Sequence, residues 1–221
     1  MSNPARPGQP PGAGPTTRQM LALWAPLAAS IAMMVLEPSI INIGLGRTLR
    51  PEMALAAYGV AFSLALVIEA PILMLLDTSV ARSVNREAFA IIRRITVILG
   101  LLVVVLGVVV SLTPLYDLIV VNLMNIPADI ADRARPTQLI LAFWPLPIAW
   151  RRAHQGVLIR AGHTAIITTA TGIRLVTLTS GILGGLLLFP EGGAIVAGVA
   201  MDVSVAIEAA VITVATQRVL R

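Results

Sequence analysis

The chain has 221 residues, 57% apolar and only 12% charged, with a mean hydropathy of +0.89. A soluble domain carries about twice that charged fraction, so most of this apolar surface must face hydrocarbon. With no cysteine and only two histidines, His154 and His163, a disulfide framework, a thiol nucleophile and a thiolate or histidine-rich metal centre are excluded.

Residues 1–18 form a Pro/Gly-rich stretch with five prolines between Pro4 and Pro15, read as a disordered cytoplasmic tail. Arg18 before an apolar run resembles a signal peptide. That run extends from Met20 to about Leu45, however, and a cleaved apolar region holds only roughly 7–15 residues. It is therefore read as a membrane helix. Spans of about 20 apolar residues cross a hydrocarbon core of roughly 30 Å, and the sequence predicts six of them, near 20–45, 53–77, 95–121, 137–159, 163–189 and 193–216. Their lengths exceed a barrel strand and they do not alternate, so residues 19–221 are expected to form an all-α, polytopic six-helix domain. The fourth span is the weakest, because Pro145, Pro147, Arg151 and Arg152 interrupt it.

All sixteen basic residues are arginine, against eleven acids, for a net charge of +5. With six spans, eleven arginines fall on the side of the tail, the second and fourth loops and the C-terminus; four fall on the opposite side. The positive-inside rule then puts both termini in the cytoplasm, so the basic balance is a topology signal rather than a nucleic-acid footprint. The expected location is the cytoplasmic (inner) membrane.

An ionisable group near a helix centre costs about 2.5–3.5 kcal/mol on insertion scales. Glu37 precedes Pro38, and Glu69 lies two residues before Pro71. Proline frees a backbone carbonyl, so each carboxylate is either a proton or cation site or a bond between kinked helices. Arg174 lies roughly 16 Å along the fifth span, at a depth close to Asp202 and Glu208 on the sixth. Those two acids are rotated by about 240° and cannot share a face. One is expected to pair with Arg174, and the other with Arg151, Arg152 or water. Such a pair either fixes packing or exchanges an internal partner for an anionic solute. Arg151 and Arg152 present forks that match carboxylate or phosphate, and with Trp150 they are either a ligand site or an interfacial anchor. Gly181 and Gly185 form a GxxxG, and Ala194, Gly198 and Asp202 align at spacing four; both stripes suit close helix approach or a dimer face. No GxxxxGK[ST], HExxH or GxSxG motif is present, and His154 has no neighbouring serine or aspartate for a triad. An enzyme, a bound metal and an organic cofactor are therefore not expected.

The stretch from Leu55 to Leu64 (LAAYGVAFSL), Glu69 to Ile72 and Arg93-Arg94 resembles the region after the first helix of MATE-type transporters, members of the multidrug/oligosaccharidyl-lipid/polysaccharide exporter superfamily. Phe143 to Pro147, Arg151, Gly156 and Ile173-Arg174-Leu175, with Thr113 to Asp117 and Gln155 to Arg160, resemble the progressive ankylosis branch. The resemblance implies six helices as one half of a twelve-helix, alternating-access exporter. It further implies coupling to H⁺ or Na⁺, and for the ankylosis branch anionic cargo such as pyrophosphate or citrate. The expected function is export of an anionic or amphiphilic small solute by a parallel homodimer, or with a second six-helix half; a truncated gene product is the other explanation of the length. Arg151, Arg152 and Arg174 would bind the solute, while Glu37, Glu69, Asp202 and Glu208 would carry the ion. The alternatives are a flippase for lipid-linked glycan precursors and a non-transporting membrane scaffold.

Overall fold

The computed structural model describes residues 16–219. Most of the predicted tail lies outside these residues, but Thr17 and Arg18 already belong to the first helix, α1 (Thr17–Leu45). α1 contains Pro26 and Pro38 without ending. The carbonyl of Pro26 accepts hydrogen bonds from Ser30 (3.0 Å) and Thr168 (2.6 Å), tying the kinked region to a neighbouring helix.

α2 (Pro51–Glu69) starts on a proline, whose missing N–H costs nothing in a first turn. It passes through a tighter 3₁₀ turn, Ala70–Met74, into α3 (Leu75–Arg82). Pro71 supplies the cause, since its ring and absent donor disrupt the α-helical ladder. α4 (Arg86–Leu112) is capped by Asn85, whose side chain accepts the Ala88 N–H at 2.8 Å. It stops at Thr113, which is extended because Pro114 follows. The predicted third span, 95–121, is thus corrected: the helix begins nine residues earlier, and 113–121 belongs to a turn, the short α5 (Leu115–Asp117) and a wide π turn, Leu118–Leu123.

α6 (Ala128–Leu141) and α7 (Pro145–Arg160) are separated by a turn at 142–144. Gly162, at φ 78°, makes the left-handed reversal into α8 (Thr164–Leu188), and α9 (Gly193–Val219) closes the chain. The described residues contain no strand. Among the described residues, five segments are long and apolar enough to cross a membrane: 20–45, 51–82, 86–112, 164–188 and 193–219. The second is five residues longer at its far end than predicted, because the helix recovers after Pro71. The predicted fourth span, 137–159, is not a continuous helix, since the Pro145 region breaks it. Its two pieces carry Asp129, Asp132, Arg133 and Arg135 on one side of the break and Arg151, Arg152 and Arg160 on the other.

Packing fixes the direction of each element. α1 runs parallel to α8, with Pro26 beside Thr168, Glu37 beside Arg174 and Gly44 beside Ile182. α8 is antiparallel to α9. α6 packs on α2 and α9, and α7 on α3, α4 and α9, so the broken pair runs along the bundle beside the α2–α3 segment. Outward residues on α4, such as Leu102 and Val105, are exposed, as expected of a surface solvated by lipid. The small residues act inside the chain. A side chain at Gly181 or Gly185 would strike Ala200 or Val196 of α9, and one at Gly198 would meet Thr137 and Ile140 of α6. The GxxxG and the spacing-four stripe therefore join α8 to α9 and α9 to α6, which corrects their reading as a dimer face. Gly156 permits a close approach of α7 to α3, against Ser79.

Candidate functional site: a buried charge cluster

Four helices each contribute one ionisable side chain to the bundle centre: Glu37 from α1, Arg151 from α7, Arg174 from α8 and Glu208 from α9. Arg151 Nη1 donates to both oxygens of Glu208 at 3.1 Å. Arg174 Nη1 donates to Glu208 Oε2 at 3.3 Å, and its Nη2 to Glu37 Oε2 at 2.6 Å. The cluster joins two guanidiniums to two carboxyl groups, and all four side chains are buried. Balance is required here, because a lone charge in this medium is costly and removing one member leaves its partner stranded. Glu208 also accepts a bond from the Thr171 hydroxyl at 3.1 Å. Thr171 and Arg174 are three residues apart, on one helical face.

The sequence-derived candidates fall into three groups. Glu37, Arg151, Arg174 and Glu208 are brought together directly. Glu69 and Arg152 lie beside them within electrostatic range of each other; Arg152 makes no ion pair among the described residues, and Glu69 Oε2 is buried without a hydrogen-bond partner. Asp202 is left out. It is half-buried, forms no ion pair among the described residues, and its Oδ1 has no partner. Glu208 pairs with Arg174, as expected of one of the two acids, and also takes Arg151; of the partners expected for the other acid, Asp202, neither Arg151 nor Arg152 reaches it, which leaves water. The separation of the two acids by about 240° on one helix is the reason. The anchor reading of Arg151 also fails, because its guanidinium turns inward instead of reaching for headgroups.

Sequence reasoning missed Thr171, Tyr58 and Gln138. The Tyr58 hydroxyl and both amide atoms of Gln138 are buried without partners, as is Glu37 Oε1. Tyr58, within electrostatic range of Glu37 and Arg174, and Glu37 Oε1 thus leave polar atoms at the centre that no protein group satisfies, an environment suited to water or a polar solute. Thr171 carried no distinguishing signal, since α8 contains several other threonines. Among the described residues, no group of three His, Asp or Glu side chains is placed to hold a metal.

A second polar cluster lies outside the long helices. Tyr116 donates to the Ala131 carbonyl at 2.9 Å, and Arg135 pairs with Asp117 while its guanidinium lies 4.6 Å from the Tyr116 ring centre. Burial pushes the Tyr116 hydroxyl up to about 12, so it remains a donor at neutral pH. This cluster fastens α5 to α6.

Long apolar helices around a balanced, buried set of charges define a multi-pass membrane protein with a polar centre. The family model of the progressive ankylosis protein (ANKH) matches residues 48–183, more than half of the chain. The chain belongs to that family, and the membership points to a role related to membrane transport. Arg151 and Arg174 fall inside the matched region; Glu37 and Glu208 fall outside it. No curated protein and no solved structure matches the chain.

Proposed function

We propose that the chain is a six-crossing unit of an ion-coupled secondary exporter of MATE type, in which the broken α6–α7 pair supplies the sixth crossing. It works as a parallel homodimer or with a second six-helix half in the cytoplasmic membrane, both termini inside, and moves an anionic or amphiphilic small solute. The observation that supports this reading is the sharing of one carboxylate, Glu208, by two buried guanidiniums beside acceptors that have no partner (Glu37 Oε1 and Glu69 Oε2). An anion that takes the donors of Arg151 or Arg174 releases carboxylate charge at Glu208 or Glu37, and a proton or Na⁺ arriving there neutralises it; Arg152 offers the anion, and Glu69 and Asp202 the ion, further groups with no ion pair to break among the described residues. Solute and ion then stabilise different arrangements of the same cluster, which is the differential binding that coupled transport needs. No catalytic chemistry and no cofactor beyond the coupling ion enters this scheme.

The pairing of both Arg151 and Arg174 also favours a second reading, a scaffold in which the cluster only locks helices together. Transport into inside-out proteoliposomes, with pyrophosphate and citrate as probes, separates the two. Arg174→Ala is expected to abolish transport while the folded oligomer persists, and Glu69→Gln to flatten its pH or Na⁺ dependence. A folded Arg174→Ala protein that transports normally excludes that arginine from solute binding. Absence of transport by the unaltered protein, with either probe and either ion, favours the scaffold.

A further inference from the structure

At the arginine-rich end of the bundle, α4 and α9 are held apart by α7, and the groove between them encloses about 450 Å³. Its floor is aromatic. The His154 ring lies 4.7 Å from that of Trp150 and 5.1 Å, edge-on, from that of Phe89. His154 Nδ1 donates to the Trp150 carbonyl at 2.8 Å, since a carbonyl only accepts, and Trp150 Nε1 donates to Thr213 at 2.8 Å. The polar atoms of the floor are thereby largely committed to the protein. Its rim carries Arg86 and Arg93, both exposed and without an ion pair among the described residues, and no acidic side chain lines the groove. The two arginines lie about 10 Å apart along one face of α4, close enough for their long stems to converge on one ligand.

We propose that this groove binds the phosphate headgroup of an acidic lipid. Position, charge and floor all bear on the assignment. Arg86 begins α4, and Thr213 to Gln217 lie in the last two turns of α9, so the groove sits at headgroup depth at the ends of two membrane-crossing helices. A basic pocket between crossing helices on the arginine-rich side suits a lipid phosphate, and an aromatic floor suits the boundary between headgroup and acyl chain. The aromatic floor offers a soluble anion little, since the Trp150 and His154 N–H groups already donate within the protein. Arg151 and Glu208 do not line the groove, so the inference stands apart from the transport reading.

The test is lipid binding by the full chain in mild detergent, read by native mass spectrometry. Phosphatidylglycerol is expected to bind at least tenfold more tightly than phosphatidylcholine. The double variant Arg86→Gln/Arg93→Gln is expected to lose at least tenfold in phosphatidylglycerol affinity. Arg82→Gln/Arg94→Gln, which removes two exposed arginines outside the groove, is expected to change it less than twofold. Ala90→Trp, which fills the groove without altering its charge, is expected to match the loss of the first pair. Equal losses from both arginine pairs would reduce the effect to general surface charge and overturn the proposal. So would equal binding of the two lipids, no binding of phosphatidylglycerol, or arginine-dependent binding of inorganic phosphate alone.

Discussion

Arg151 and Arg174 lie at the bundle centre with side chains 3% and 2% exposed, and both turn to the carboxylate of Glu208. Arg86 and Arg93 lie at one end, exposed, and pair with nothing among the described residues. The residue type is the same, but the solvent differs. Inside hydrocarbon the cost of an unpaired guanidinium dictates a partner on another helix. At the membrane surface, hydration carries that cost and leaves the charge available for a ligand. Arginine is thus structural cross-link and free binding group in one chain, and burial decides which.

The sharpest way to break this comparison is Glu208→Gln. The change is nearly isosteric but leaves Arg151 without the one ion-pair partner it has among the described residues, and Arg174, among the same residues, with Glu37 alone. Stranding a buried charge costs about 3–5 kcal/mol, so the variant is expected to melt roughly 6–20 °C lower in detergent. Arg93→Gln, measured identically, is expected to stay within about 0.5 kcal/mol of the unaltered protein. Equal melting temperatures for the two variants would refute burial as the deciding factor.

A smaller effect comes from two adjacent glycines on α8. A side chain at Gly185 would run into Val196 of α9, whereas Gly184 has open space around it. Gly185→Leu is expected to destabilise by about 1–3 kcal/mol through overpacking, while Gly184→Leu, on a lipid-solvated face with improved helix propensity, is expected to be neutral or mildly stabilising. Thermal melts of the two proteins side by side test this. Comparable losses from both would mean that α8 uses its outer face for a contact of its own.

The same contrast explains how much was legible in the sequence. Long apolar runs announce helices, and charges within them announce a polar centre; Glu37, Arg151, Arg174 and Glu208 were therefore all named from sequence. Their grouping was not readable, because which acid meets which arginine depends on the relative rotation of four helices. Asp202 is as apolar in its surroundings as Glu208, yet it misses the cluster. Helix ends were misplaced where a local device outweighed hydropathy: the Asn85 cap starts α4 before its apolar run, and Pro114 stops it inside that run. The small-residue stripes were legible as contact faces, but a stripe does not say whether its partner lies in the same chain. The groove escaped because its rim and floor come from three helices and its arginines look like ordinary topology signals.

Arg135 supplies the intermediate case. Its side chain is 33% exposed, it is paired with Asp117, itself 49% exposed, and its guanidinium lies 4.6 Å from the Tyr116 ring centre. An exposed ion pair contributes about 0.2–1 kcal/mol, and a cation over an aromatic face about 0.5–1 kcal/mol at such a site. Arg135→Ala is therefore expected to destabilise by about 1 kcal/mol, well below Glu208→Gln and above Arg93→Gln. Because both contributions face water at least in part, the ion-pair share is expected to shrink as salt rises, whereas the Glu208 effect should persist. Arg135→Lys keeps the charge but loses the planar fork and its stacking, so it is expected to fall between the unaltered protein and Arg135→Ala. Melts of these variants at low and high salt place three arginine environments on one scale. A salt-independent loss at Arg135 as large as that at Glu208 would mean that α5 and α6 are fastened by a desolvated pair, and partial exposure would then be the wrong measure of a cation's role in this bundle.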